Sequence, residues 1–420
     1  MSNGKVMRVA MIVWNEFLND ARVLKEAQTL QQSGYQVAVF ALHTPGKTKN
    51  REILADGIEV FRVARSPFWR WRKSTPLQSR EKIAGKPKLP KANLDLKHQL
   101  LRIVARTWTH LGLLIQITLY RADVIHAHDV NTLPTAWLAA RLRRTRLVYD
   151  AHEISTSREG YTNFRSVVGV IESRLMPKTD ANITTTEARA KYFARAYGIS
   201  RPTVLQNRPR LTAPCKSNRI REELGLTAPW PIILYQGGLQ QGRGLEKLIR
   251  TAVYVPKAYF VFIGGGRLTS TLEHLSEELN LKDQVHFIPT VELKDLPSYT
   301  SSADIGVQPI ENTCLNHYTT DSNKLFEYLI AGLPIVATDF PEIRRIVLSH
   351  DVGILVPPNN PESLAYALNC LTQNSQLRRF YANNACSAAK TLNWEEQESR
   401  LVDLYHQVLG SASITPKVQP

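Results

Sequence analysis

Four cysteines in 420 residues, Cys215, Cys314, Cys370 and Cys386, form no C-x-x-C pair and no evenly spaced framework. A disulfide scaffold and a zinc ribbon are thereby excluded, and a reducing cytosol is the simplest compartment. No apolar run reaches the roughly 18 residues that cross a bilayer; the longest, Leu111 to Tyr120, is broken by Gln116 and Thr118. Val9 to Trp14 is too short for a signal-peptide core and reads as a first buried strand. No two aspartates stand one residue apart, so the close Asp-x-Asp pair that would clamp a metal on a diphosphate is missing. Negative charge is scarce in the first half: residues 1–200 hold 16 Asp and Glu against 32 Lys and Arg, whereas residues 201–420 hold 21 of each. The entire net charge of +16 therefore sits in the N-terminal half.

Much of that excess lies between Arg62 and Lys97, where Phe68, Trp69 and Trp71 alternate with Arg70, Arg72 and Lys73. Arginine and lysine interleaved with tryptophan suit the headgroup layer of an anionic membrane. Nucleic acid uses the same residue types and is the disfavoured partner; a solvated loop is the plain alternative.

With 43% hydrophobic residues, the chain can fill real cores. Buried-strand candidates alternate with helical stretches. They fall at 8–13, 36–42, 58–63, 123–127, 146–149, 181–184 and 203–206, then again at 231–236, 259–263, 285–288, 304–307, 335–338 and 353–356. This alternation predicts an α/β chain with two doubly wound parallel sheets. Residues 1–206 are expected to form an N-terminal domain with the basic loop at 62–97, and the proline-rich stretch 207–218 a linker. A C-terminal domain is expected over 219–392, a last helix over 393–410, and a flexible tail over 411–420. Open parallel sheets bind ligands beyond their C-terminal strand ends, so two facing domains enclose a cleft.

Four clusters could carry chemistry there. Asp321 to Asp339 reads as an N-cap at Asp321 or Ser322, a short helix, a stop at Gly332 and a buried strand. Lys324 falls in the first helical turn, where the dipole disfavours a cation, which points to a bound anion sharing the site. Glu327, three residues on, shares its face and could accept hydrogen bonds from a sugar diol. Tyr235 to Ile249 runs from strand to helix through Gly237, Gly238, Gly242 and Gly244, where backbone amides and Arg243 could meet a phosphate. Gly264 lies in a further glycine-rich turn on the same side. In the N-terminal half His152 directly follows a strand, with His126, His128 and Asp129 at the preceding strand end. A metal site from His126, His128 and His152 is conceivable but lacks the spacing of a zinc signature. Asn19 and Asp20 cap a helix that carries Arg22.

The Asn-Lys-Leu-Phe-Glu-Tyr run at 323–328 with Ala-Gly-Leu-Pro at 331–334 resembles family 4 glycosyltransferases of the retaining GT-B type. The resemblance runs nearly end to end and implies two Rossmann-like domains with the final helix crossing back onto the first. It implies that Arg243 and Lys324 bind the donor diphosphate, that Glu327 holds the ribose and that His152 contacts the donor sugar near the reacting centre. It also places Gly237, Gly238 and Gly264 on the donor side and Asn19, Asp20 and Arg22 facing the acceptor. Where the family carries an earlier sugar-contacting glutamate this chain has Thr319, and where an additional arginine is usual it has Gly238. The implied activity is retaining transfer of a hexose-type sugar from a nucleoside-diphosphate sugar to a glycan or lipid-linked acceptor, as in cell-surface polysaccharide assembly. No metal or other cofactor is needed, and the expected location is the cytoplasmic face of a membrane. A sugar-nucleotide epimerase and a non-catalytic nucleotide- or nucleic-acid-binding scaffold are the alternatives.

Overall fold

Apolar runs bounded by glycine, proline and polar residues form the strands of two sheets, buried on both faces. The computed structural model describes residues 6–65, 96–158, 164–212 and 216–410, the side chains of 96–100 and 102 apart. The first sheet holds β1 (Arg8–Ile12), β2 (Gln36–His43), β3 (Arg51–Ile53), β4 (Glu59–Ala64), β5 (Val124–His128), β6 (Arg146–Ala151), β7 (Ala181–Thr184) and β8 (Thr203–Val204). Its order is β3-β4-β2-β1-β5-β6-β7-β8. The second holds β9 (Ile232–Gln236), β10 (Tyr259–Ile263), β11 (Val285–Ile288), β12 (Ile305–Gln308), β13 (Ile335–Thr338) and β14 (Gly353–Val356), in the order β11-β10-β9-β12-β13-β14. The expected two-sheet α/β fold is the one observed. The sequence reading omits one strand, β3, which pairs antiparallel with β4 at the sheet edge.

Helices α1 (Ala21–Gln32), α2 (Leu96–Tyr120), α3 (Leu133–Arg143), α4 (Arg165–Leu175) and α5 (Glu187–Tyr197) belong to the first sheet. Around the second sheet lie α6 (Arg219–Leu224), α7 (Leu245–Ala252), α8 (Thr269–Glu278), α9 (Leu296–Thr300), α10 (Leu315–Tyr318), α11 (Asn323–Ile330), α12 (Pro341–His350), α13 (Pro361–Gln373) and α14 (Ser375–Ala389). The last, α15 (Glu395–Leu409), returns to the first sheet beside α1. It buries Leu401, Leu404, Tyr405 and Val408 in the core under α1, and Trp394 Nε1 donates to Thr29 Oγ1 at 2.9 Å.

Each sheet reverses its strand order once, at β1/β5 and at β9/β12. The C-terminal ends of these pairs open toward each other, which is where a doubly wound sheet binds ligand. Of the basic stretch 62–97, residues 66–95 lie outside the described residues, as do 411–420 of the tail. The two ends of that stretch belong to regular elements instead. Arg62 sits in β4, 3% exposed, and donates to Glu16 O, Lys49 O and Glu52 Oε1, because a buried guanidinium must satisfy its donors locally. Lys97 lies in α2.

Candidate active site

One wall of the cleft grows from β9, which ends at Gln236 and turns through Gly237 at φ +121°. That positive φ is what calls for glycine here, since a Cβ would meet Lys324 Nζ only at an ordinary contact of 3.5 Å. Gly264 is not among the residues that line the cleft. A Cβ there would come within 2.2 Å of the Gly237 carbonyl oxygen, so it is a glycine that lets one turn back onto another. Arg243 and Gly238 line the cleft just before α7.

Helix α11 starts after Ser322, whose φ of +55° swings the chain into the helix without a side-chain cap. Lys324 is 8% exposed, donates to Ser322 Oγ at 3.2 Å and lies over the Tyr235 ring. It forms no ion pair among the described residues. Burial, and then the neighbouring Arg243, push its pKa down to about 7, while Glu327 acts weakly the other way. An ammonium desolvated beside a second cation is electrostatically unfavourable until an anion offsets it. One turn further, Glu327 accepts from Gln236 Nε2 at 2.5 Å, and Thr300 Oγ1 fixes the other end of that amide at 2.8 Å.

The opposite wall comes from the first sheet. Asp20 caps α1, accepting from Val23 N at 3.2 Å, and lines the cleft. Asn19 is exposed and outside the cleft lining, because the capping turn directs its neighbour to solvent. Arg22 is 3% exposed and lines the same cleft, with its guanidinium engaged by a buried network behind it. Its fork holds Asp150, Nε to Oδ2 at 2.7 Å and Nη2 to Oδ1 at 3.0 Å, while Nη1 donates to Leu205 O and Nε lies 3.1 Å from Glu26. Parallel register sets His128 beside Asp150 on the α1 face. His152 Nε2 lies 3.0 Å from Asp150 Oδ2, and Nδ1 lies 3.9 Å from Asp129. Burial alone would depress the His152 pKa, but Asp150 and then Asp129 raise it to about 9. The imidazole therefore stays cationic at neutral pH, with its side chain 21% exposed to the cleft.

Behind it, ligating atoms of Glu26, His126, His128 and Asp150 fall within 4.8 Å of one another, all buried. This is not the His126, His128 and His152 trio considered from sequence, since His152 turns to Asp150. The Arg22 guanidinium holds Asp150 ionised, whereas burial raises the Glu26 carboxyl to about 7. Tyr405 of α15 closes the network with its hydroxyl 2.9 Å from His126 Nδ1.

Arg189 was not legible in the sequence. Buried at the start of α5, it donates to His152 O at 2.6 Å, Thr185 Oγ1 at 2.6 Å, Asn316 O at 3.1 Å and Thr319 Oγ1 at 3.3 Å. It thus ties the His152 segment to the loop around α10, helped by Ile154 N donating to Asn316 Oδ1 at 2.8 Å. Thr319 is 5% exposed and is spent on this tie rather than lining the cleft. Between the walls lies a cavity of about 770 Å³ with His152, Arg243, Lys324 and Glu327 all on its lining.

Comparison with known proteins identifies the two domains. Residues 20–208 match the glycosyl transferase 4-like domain, and residues 216–387 match glycosyl transferases group 1. The chain is 26% identical over 305 residues to a D-inositol 3-phosphate glycosyltransferase of Xylanimonas cellulosilytica, covering 68% of this chain and 72% of that one. Its fold superposes on sucrose-phosphate synthase from Thermosynechococcus elongatus with a TM-score of 0.78 at 18% identity, covering 97% and 100% of the two chains. It superposes on Anabaena HepE in complex with UDP-glucose with a TM-score of 0.70 at 16% identity, covering 95% and 99%.

Proposed function

Since the chain belongs to the GT-B glycosyltransferases, with a 4-like domain followed by a group 1 domain, we propose that it moves a hexose-type sugar with retention of configuration to a hydroxyl of a glycan or lipid-linked acceptor. The observation that carries this reading is one cavity in which the cations Arg243 and Lys324 stand beside Glu327 and across from His152. The diphosphate would lie against Lys324, Arg243 and the first amides of α7 and α11, which meet the charge that develops as it leaves. Glu327 would accept from the ribose hydroxyls. His152, held by Asp150, would contact the donor sugar.

Transfer forms a bond from the acceptor oxygen to the anomeric carbon and breaks the bond from that carbon to the diphosphate oxygen. The acceptor proton passes to the departing phosphate on the same face, through an oxocarbenium-like state. No step calls for a metal, because the positive charge comes from the chain itself. The proposed location is the inner face of a membrane, in polysaccharide or glycolipid synthesis. Among the described residues no helix is long and apolar enough to cross the bilayer.

A thermal-shift screen with UDP-, GDP- and ADP-sugars should identify a donor that raises the melting temperature by mass action. NMR of the product formed with that donor should then show the anomeric configuration of the donor retained. Turnover of donor without acceptor would identify an epimerase instead, and binding without any turnover would identify a scaffold.

A further inference from the structure

The outer face of α2, α3 and α4 carries chemistry that sugar transfer does not use. On α2, Leu101, Val104, Trp108, Leu111, Ile115 and Leu119 recur every three or four residues, and all are exposed, Leu119 by 74%. This stripe lies opposite Thr109, Leu113 and Ile117, which are buried on the inner side. At about 100° per residue, positions two apart fall on opposing faces, so α2 is apolar on both. Leu138 and Leu142 of α3 and Phe164, Val167 and Val170 around α4 are exposed as well. Helix α2 packs along α3, and α3 along α4, which makes the three stripes neighbours. Exposed apolar side chains gathered in this way mark an interaction surface.

The exposed charge on the helices themselves has one sign. Residues 96–120 and 133–146 contain no Asp or Glu. Residues 164–178 contain only Glu172, which is fully buried and accepts from Tyr149, Ser155 and Tyr197. Against this stand the exposed Arg141, Arg143, Arg144, Arg165, Arg174 and Lys178. Arg141 and Lys178 flank the Trp137 ring at 5.7 and 5.5 Å, aligning an aromatic ring with two cations.

We propose that this three-helix face rests on an anionic lipid bilayer, with the apolar stripes in the acyl boundary and the arginines at the headgroups. It deepens, and rests on, the reading that the enzyme serves a membrane-bound acceptor, and it shifts the contact from the basic stretch to folded helices. A second copy of the chain fits poorly, since an isologous contact would press cations against cations. Nucleic acid would answer the charge but strand the Leu, Ile and Val side chains in water. A basic amphipathic surface with Trp and Leu on one side lies in the interface rather than spanning it.

The test is co-sedimentation of the full chain with vesicles of phosphatidylcholine and phosphatidylglycerol, and with phosphatidylcholine alone. The wild type should pellet with the mixed vesicles only. A Leu111→Ser/Ile115→Ser/Leu119→Ser variant should lose binding by on the order of tenfold or more. Its melting temperature and its stabilisation by UDP should be unchanged, and that readout judges the transferase reading separately. Arg141→Ser/Arg143→Ser/Arg144→Ser should weaken binding at low salt and flatten its salt dependence. Wild-type binding by the Leu/Ile triple, including the case where only Trp69→Ala/Trp71→Ala impairs it, would overturn the proposal. So would a wild type that stays in the supernatant, or a wild-type dimer in light scattering that the Leu/Ile triple converts to monomer.

Discussion

Replacing Lys324 by methionine should make the ligand-free protein more stable and deaf to nucleoside diphosphates. Its ammonium is 8% exposed, stands near Arg243 and has a pKa of about 7 where an ordinary lysine has 10.5. The folded state therefore binds that proton less readily than the unfolded chain does, which costs stability wherever the group is charged when unfolded. At about 1.4 kcal/mol per pH unit, the gap between 10.5 and 7 sets a ceiling on the order of 5 kcal/mol. Losing the hydrogen bond to Ser322 Oγ returns about 1 kcal/mol. The cost is fully present below about pH 7 and fades as pH rises toward 10.5. Methionine keeps the length and removes the charge, so the variant should gain a few kcal/mol near pH 6 and progressively less near pH 9. Chemical denaturation at the two pH values, each with and without UDP, reads both effects. A variant less stable than wild type near pH 6, or one still stabilised by UDP, would refute the reasoning.

His152 holds its proton to about pH 9 through Asp150 and Asp129, so turnover should fall as pH rises through that value, and its own stabilising contribution, complete below the ordinary 6.5, should fade over the same range. Asp150→Asn should move the fall in rate to lower pH and destabilise by about 3–5 kcal/mol, because the Arg22 fork is stranded; an unchanged pH–rate profile would contradict the pairing. Glu327→Gln removes a charged acceptor and should weaken UDP binding by roughly tenfold to a hundredfold in calorimetry, and unaltered affinity would end the ribose assignment. Turnover should survive EDTA, and a strict need for added manganese or magnesium would show that the cation pair does not carry the leaving charge.

Parallel strands buried on both faces read as continuous apolar runs, so nearly all of both sheets was legible without coordinates. The exception, β3, is three residues long and mostly exposed at an edge, with too little apolar signal to stand out. Lys324 was legible because a cation in a first helical turn contradicts local electrostatics; His152 was singled out by the family resemblance, since a histidine after a strand is by itself more often structural. Arg22, Glu26 and Arg189 were not assigned their roles, since these depend on contacts with distant residues; Asp150 lies 128 positions from Arg22, and Thr319 130 from Arg189. Only strand order and register bring such pairs together. Asn19 lies exposed outside the cavity lining, because next to a capping residue one step in sequence is a large rotation in space. The segment from Leu111 to Tyr120 was weighed only as a failed membrane span, although its outward residues continue the three-and-four spacing that runs back to Leu101.

A crystal structure of the chain with UDP, or with whichever nucleoside diphosphate binds, tests the central claim most directly. The account predicts the diphosphate within hydrogen-bonding distance of both Lys324 Nζ and the Arg243 guanidinium, with the ribose hydroxyls on Glu327. A nucleotide seated elsewhere, or one in the cleft whose phosphates touch neither cation, would contradict it.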